Sequence, residues 1–251
     1  MLTPERHKLI MEIIKEKKVA AIQDLVEGTG SSESTIRRDL VQLEKENKLL
    51  RFHGGAQLAG SKSEETTINE RSLASLNEKM AIAKHAAGLV QAGDCVFLDA
   101  GTTTYHMVEH LRKDILVVTN GLSLIDHCID KDLETYVIGG KVKPKTNAFI
   151  GKGAIDGISA YRFDKCFIGM NGIHPDFGYT TPDPEEAMIK QTAIHLSNKA
   201  FVIADESKFG RTSFSKVHDL GAAAIITNAV QDLKSLSEYR KLTQIEMVKT
   251  T

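Results

Sequence analysis

Ser34, Thr35, Arg37 and Arg38 fall within five consecutive positions of the run Ser32-Glu33-Ser34-Thr35-Ile36-Arg37-Arg38-Asp39-Leu40. Hydroxyls and guanidiniums at this spacing donate to what a nucleic acid offers, phosphate oxygens and base-edge acceptors. Further along stand Asp99-Ala100-Gly101-Thr102-Thr103-Thr104, Thr119-Asn120-Gly121, Gly139-Gly140-Lys141-Val142-Lys143, Gly169-Met170-Asn171-Gly172 and Asp205-Glu206-Ser207-Lys208. A glycine followed by threonines at a helix start presents backbone N–H groups and hydroxyls that suit a phosphate. Lys143, Lys190 and Lys208 are candidates for the counter-charge. Asp99, Asn120 and Glu186 are then available for sugar hydroxyls, because a carboxylate beside a phosphate dianion is unfavourable.

The first group needs a helix with one buried and one open face. At about 100° per residue, Ile36, Leu40 and Leu43 share a stripe, Ser34, Arg38, Val41 and Lys45 lie opposite, and Arg37 lies on a flank. Ser32 supplies a hydroxyl cap. Upstream, Thr3-Pro4 caps a first helix with its stripe at Leu9, Ile10, Ile13 and Ile14. A short second helix runs from Ala21 to Glu27, with Ile22, Leu25 and Val26 facing inward. Residues 28–32, Gly-Thr-Gly-Ser-Ser, are small enough for the turn of a helix-turn-helix, which sets the third helix in a major groove. The run Leu49-Leu50-Arg51-Phe52-His53-Gly54-Gly55-Ala56 reads as a strand entering a glycine turn, a wing that brings Arg51 and His53 to the phosphate backbone. Residues 1–56 hold ten basic against nine acidic side chains. Binding duplex therefore requires the positive charge to gather on one face, as Arg37, Arg38, Lys45 and Arg51 suggest. A small helical domain with two solvated arginines is the competing reading; cap, turn, stripe and wing together favour the first.

With 251 residues, 41% of them hydrophobic, the chain can bury a small and a larger core. A net charge of -1 says little about partners. No apolar run approaches the roughly 20 residues of a membrane helix, and the first residues do not read as a signal peptide, so a cytoplasmic protein without a membrane partner is expected. Cys95, Cys128 and Cys166 are odd in number and far apart, which fits reduced core thiols better than disulfides or zinc. The expected division is a DNA-binding domain over 1–57, a polar connector over 58–77 and a larger domain over 78–251.

In that larger domain, short apolar runs (95–99, 115–119, 135–138, 165–168, 201–204, 223–227) alternate with helical patterns (78–90, 103–111, 122–129, 185–197). The alternation predicts an α/β fold with a mostly parallel sheet covered on both faces. Ligands of such sheets sit beyond the carboxyl ends of the strands, which is where the polar clusters fall. Each cluster also has an ordinary explanation: Gly-Thr-Thr-Thr as a turn and cap, Glu186 with Lys190 as an i,i+4 surface pair, Gly-Gly as a turn.

Sharper motifs fail. Gly151-Lys152 lacks the remainder of a Walker sequence, and the glycines around it have the wrong spacing for a dinucleotide fingerprint. His106-Met107-Val108-Glu109-His110 matches a zinc-peptidase pattern. If Tyr105, Val108 and Leu111 form the buried stripe, however, both histidines face outward without a third ligand. No cofactor, metal or catalytic residue is expected.

The chain resembles the DeoR-type regulators of sugar operons along nearly its whole length. The likeness rests on Ser34-Thr35-Ile36-Arg37-Arg38-Asp39-Leu40, His53-Gly54-Gly55-Ala56, Asp99-Ala100-Gly101-Thr102-Thr103, Val118-Thr119-Asn120, Ile138-Gly139-Gly140, Thr180-Thr181 leading to Glu186-Ala187 and Lys190, and Asp205-Glu206-Ser207-Lys208-Phe209-Gly210. Met1-Leu2-Thr3-Pro4-Glu5-Arg6-His7, Asp164-Lys165-Cys166-Phe167 and Gly178-Tyr179-Thr180-Thr181-Pro182-Asp183-Pro184 make it most similar to that family's fructose-operon branch. The resemblance implies a winged helix-turn-helix joined to a sensor related to ribose-phosphate isomerases and CoA transferases. It also implies a homo-oligomer that represses by holding double-stranded operator DNA and lets go when a phosphorylated sugar binds, fructose 1-phosphate for this branch. Carried over, the effector pocket falls on Asp99, Gly101, Thr102, Thr103, Asn120, Gly140, Lys143, Glu186, Lys190 and Lys208. Three positions depart from the family: Thr29 and Ser31 where apolar residues are usual, and Lys143 where arginine is common. The rival reading is a sugar-phosphate isomerase-like enzyme with a helical appendage, using Asp99 or Glu186 as base.

Overall fold

The structure is a computed structural model that describes residues 2–17, 19–46, 48–52, 54–58, 67–229 and 233–249. Contacts divide the chain into two units, Met1–Glu64 and Glu65–Thr251.

In the first unit, α1 (Thr3–Lys17), β1 (Val19–Ala21), α2 (Ile22–Thr29), α3 (Glu33–Lys45), β2 (Leu49–Phe52) and β3 (Gly55–Leu58) form three helices and an antiparallel sheet of order β1-β3-β2. The hairpin β2–β3 is the expected wing, turned by Gly54 at φ 96°. The strand β1 was not foreseen, because three residues are too few to show alternation. Ile10, Ile14, Leu25, Ile36, Leu40, Leu43, Leu49 and Ala56 form one buried core, so the stripe read from the sequence is the packed one. Thr29 is accommodated in that interior. It is 6% exposed, its hydroxyl donates to Leu25 O at 2.6 Å, and it accepts from Ser31 N at 3.3 Å. A polar group so bonded costs little to bury. Gly30, at φ 62°, then ends α2 in the left-handed conformation that glycine adopts without strain.

The second unit opens with α4 (Ile68–Leu73) and α5 (Leu76–Gly88). Next come β4 (Cys95–Leu98), α6 (Thr102–Val108), β5 (Leu116–Thr119), α7 (Leu122–Asp130) and β6 (Glu134–Val137). A hairpin of β7 (Lys141–Lys143) and β8 (Ala148–Ile150) leads to α8 (Lys152–Ser159) and β9 (Phe163–Ile168). They are followed by β10 (Gly172–His174), β11 (Gly178–Thr181), α9 (Pro184–His195), β12 (Ser197–Ile203), β13 (Ser215–His218), β14 (Ala224–Asn228), α10 (Leu233–Arg240) and β15 (Ile245–Val248).

Seven strands in the order β15-β14-β12-β9-β4-β5-β6 form a sheet in which every pairing is parallel. Its strands read as continuous apolar runs because both faces are covered. Val96 and Leu98 turn toward Ile82 and Ala86 of α5 and Met107 of α6, whereas Phe97 turns toward Ala154 and Ile158 of α8 and Ile189 of α9. The chain builds outward from β4 to β6 and then returns to place β9 on the other side of β4. The strand order therefore reverses between β4 and β9, and the crevice there is where open α/β sheets bind ligands.

Two details differ from expectation. The span 58–77 is not connector throughout, since α4 and the first turn of α5 occupy part of it; α4 has only six residues, too few for an apolar period to show. Tyr105 is 40% exposed and Met107 is fully buried, so α6 is rotated from the orientation expected, and it ends at Val108, before His110. Cys128 and Cys166 are buried, Cys95 is half-buried, and all three are free thiols. No helix of the described residues is long and apolar enough to cross a membrane.

Candidate functional site

The residues expected to read DNA lie on α3. Ser32 caps the helix; its hydroxyl sits 3.1 Å from Ser34 Oγ and 2.9 Å from Thr35 Oγ1. Ser34, Arg37 and Arg38 are exposed and Thr35 is half-buried. The two arginines differ. Arg37 is drawn along the helix to Glu33, with Nη2 2.6 Å from Oε1, whereas Arg38 has no hydrogen bond or ion pair with a described residue. Arg51 donates through its backbone N–H and Nε to Glu44 of α3, at 2.9 and 2.7 Å, tying the wing to the helix. His53, expected beside it, lies outside the described residues. Behind this face Asp39 is 6% exposed and receives Arg6 Nε at 2.5 Å, Arg6 Nη2 at 3.1 Å and His7 Nε2 at 3.2 Å. Burial pushes its carboxyl up, but the Arg6 and His7 hydrogen bonds outweigh that and hold it below the usual carboxylate range. The pair fixes the roll of α3 against α1.

In the second unit the sheet reversal brings together residues from several elements. Asp99, one residue past β4 and 2% exposed, accepts on Oδ2 from Gly169 N at 3.1 Å and from Lys190 Nζ. Lys190 of α9 also donates to Gly169 O at 3.0 Å. Asn120, past β5, accepts from Ala100 N at 2.9 Å, and its backbone carbonyl accepts from Phe149 N at 2.8 Å, which docks the β7–β8 hairpin on the strand ends. That hairpin delivers Lys143, whose Nζ lies 2.7 Å from Asp183 Oδ2 and 3.3 Å from Glu186 Oε1. Glu186 also accepts from the buried Thr146 hydroxyl at 2.6 Å. Burial raises the Asp183 carboxyl, but the Lys143 hydrogen bond leads the groups that hold it below its ordinary value. Glu186 and Lys190 are one turn apart yet do not pair with each other; both are buried and each is committed elsewhere, unlike a surface i,i+4 couple.

Gly101 caps α6, and Thr102 and Thr103 occupy its first turn, both buried. Thr102 lines a cavity of about 200 Å³ with Ile68 and Ser72 of α4, Tyr105, His106, Ser123 and Asn147. Gly140 serves packing: at φ 108°, a Cβ there would meet Ile150 O at 2.8 Å and Ala154 Cβ at 2.9 Å. Lys208 stands apart, in a short 3-10 turn after β12, 3.8 Å from Asp205. Thus the reversal gathers Asp99, Gly101, Thr102, Thr103, Asn120, Lys143, Glu186 and Lys190, while Gly140 backs onto α8. The sequence reading missed Asp183 and Thr146, whose role depends on a hairpin too short to show a period. It also missed Arg71 and Lys79, which fell in or beside the supposed connector.

Asp99 and Glu186, the bases that the isomerase reading would use, are each paired with a lysine. The DeoR-like helix-turn-helix domain matches residues 6–62, and the DeoR C terminal sensor domain matches residues 74–229. The chain belongs to the DeoR family. Among its DeoR relatives, the Bacillus subtilis protein named as an uncharacterized HTH-type transcriptional regulator, FruR, is 47% identical over 99% of this chain and 100% of its own length. The glycerol-3-phosphate regulon repressor of Escherichia coli is 32% identical over 91% of this chain and 92% of its own. The transcriptional repressor GlcR of Bacillus subtilis is 34% identical over 88% and 86%. Among solved structures, ribose 5-phosphate isomerase A from Methanocaldococcus jannaschii aligns with 52% of this chain and 53% of its own at 16% identity and a TM-score of 0.38. This DeoR-family chain is a DNA-binding transcriptional regulator, not an enzyme.

Proposed function

We propose that this DeoR-family regulator represses a fructose-utilisation operon and releases its operator when fructose 1-phosphate enters the crevice at the β4–β9 reversal. The observation that carries the reading is the polar, buried lining of that crevice in a chain 47% identical, end to end, to a regulator named FruR. Asp99 uses only Oδ2 for Gly169 and Lys190, and its Oδ1, with Asn120 beside it, suits sugar hydroxyls. Thr102 and Thr103 offer hydroxyls and first-turn amides to the phosphate.

On the DNA side, Ser34, Thr35, Arg37 and Arg38 enter the major groove, and Arg51 and His53 approach the phosphate backbone. A homo-oligomer engages two half-sites at once. A ligand moves such an equilibrium only by binding one arrangement better than the other, so the sugar phosphate favours the state that cannot span both half-sites. The test is a gel-shift titration of the operon's promoter fragment with fructose 1-phosphate, fructose 6-phosphate and glycerol 3-phosphate in parallel. Release by fructose 1-phosphate at the lowest concentration is expected; equal retention with all three contradicts the assigned effector.

A further inference from the structure

The three lysines that the sequence offers as counter-charge already face carboxylates: Lys190 with Asp99, Lys143 with Asp183 and Glu186, Lys208 with Asp205. A buried positive group with fewer partners lies elsewhere. Nε and Nη2 of Arg71, on α4, are buried and have no hydrogen-bond partner among the described residues. Lys79, in the first turn of α5, is 4% exposed, and its ammonium donates to the backbone carbonyl of Arg71. Lys208 lies close enough to repel both Lys79 and Arg71, and Arg211, which has a partner of its own, adds to the field at Lys208. Asp205 is the carboxylate that both lysines share. Burial pushes the Lys79 ammonium down to about 8; Asp205 opposes it, and Lys208 and Arg71 add to it.

A buried guanidinium with orphaned nitrogens, beside a buried ammonium, is costly unless something completes it. The arrangement has the chemistry of an anion receptor, with a planar fork and a point charge set at one place. It also adjoins the ligand crevice. Ser72, next to Arg71, and Ile68, one turn earlier on α4, line the same cavity as Thr102, and Lys79 acts on His106 of that cavity.

We propose that Arg71, Lys79 and Lys208 receive the phosphate of the effector, and that Arg71, being on α4, makes that charge felt by the segment leading to the DNA-binding domain. The proposal rests on the phosphosugar reading above and deepens it. The dianion supplies the missing acceptors of Arg71 and fastens α4 to α5 and to the turn after β12. α4 is the first described helix after the wing in chain order, so it is the part of the sensor nearest in sequence to the DNA-binding domain.

The test uses the full chain and inorganic phosphate, so that it does not depend on which sugar is bound. Calorimetric titration compares the wild type with Arg71→Gln and Arg71→Lys, and amide hydrogen exchange is followed over Ile68–Leu73 with and without phosphate. Phosphate is expected to bind the wild type and Arg71→Lys, to bind Arg71→Gln at least about tenfold more weakly, and to slow exchange in α4 of the wild type. Equal affinity in Arg71→Gln, no binding to the wild type, or unchanged α4 exchange overturns the proposal. Should Arg71→Gln fail to fold, wild-type exchange and the Arg71→Lys affinity still decide. If phosphate binds and depends on Arg71 while no phosphosugar alters operator binding, the subsite stands and the fructose reading falls.

Discussion

Lys190 and Asp99 form a buried ion pair that ties α9 to the end of β4, across the line where the sheet reverses its order. Both are almost fully enclosed, and Gly169 supplies an N–H to the carboxylate and a carbonyl to the ammonium. The crevice is therefore preorganised by charges that neutralise one another, and a ligand entering it meets fixed dipoles and the remaining lone pairs of Asp99.

Removing one member of that pair leaves the other buried and uncompensated. Asp99→Ala is expected to destabilise the sensor by about 3–5 kcal/mol, whereas replacing both residues with apolar ones of similar size costs much less. Urea denaturation of the single and double variants checks this; a loss under about 1 kcal/mol for Asp99→Ala contradicts the burial argument.

On α3, Arg38 pairs with no described residue while Arg37 is held by Glu33. Arg38→Ala is expected to weaken specific operator binding by about 1–3 kcal/mol, and Arg37→Ala to weaken it less, because its charge is already partly neutralised. Fluorescence anisotropy with operator and with unrelated duplex separates the two, and an equal loss for both variants removes the distinction.

Asp39 makes the stability of the DNA-binding unit depend on acid. Its carboxyl is held below the ordinary value in the folded chain, so it adds stability above about pH 4 and loses it as the pH falls through the lowered native value. Acid titration of Asp39→Asn against the wild type, followed by circular dichroism of the helices, should show the wild type more stable at neutral pH. The two curves should converge below about pH 3. Parallel curves at every pH count against the assignment.

Lys79 gives the same sign at alkaline pH, for a different reason. It is surrounded by Arg71, Lys208, His106, Glu78 and Asp205, and its native value of about 8 lies below its ordinary one. Below pH 8 the lysine is charged in both folded and unfolded chains and its burial cost is fully present. Above that, toward about 10.4, the unfolded chain holds a proton the folded chain lacks, and stability rises with pH. Phosphate affinity should run the other way, falling above pH 8 as the ammonium is lost. Lys79→Arg, which stays charged, should remove that fall; a pH profile unchanged by the substitution excludes Lys79 from the subsite.

The fold was legible where apolar periodicity was long. The stripe of Ile36, Leu40 and Leu43, the cap at Ser32 and the alternating runs from Cys95 to Thr227 all lie where the sequence puts them. Short elements escaped, because β1, β7, β8 and α4 hold between three and six residues and show no period. In the candidate site, residue types at strand ends pointed to Asp99 and Asn120, and the parallel topology brings those ends to one edge, where Glu186 and Lys190 of α9 also lie. Pairing was not legible. Which lysine meets which carboxylate depends on the lean of α9 and the docking of the β7–β8 hairpin, and so the sequence offered Lys143 and Lys190 as free charge when both are spent. Arg71 was hidden for the complementary reason, standing in a polar stretch that resembles a linker until α4 is seen to lie over the cavity.

The central claim is that a phosphorylated sugar in the β4–β9 crevice governs the grip of α3 on the operator. It is tested most directly by measuring the operator dissociation constant of the wild type and of Asp99→Asn with and without saturating fructose 1-phosphate. The account predicts that the sugar phosphate weakens operator binding of the wild type by at least about tenfold and leaves that of Asp99→Asn nearly unchanged. An identical dissociation constant for the wild type in both conditions, or full release of Asp99→Asn at the same ligand concentration, contradicts it.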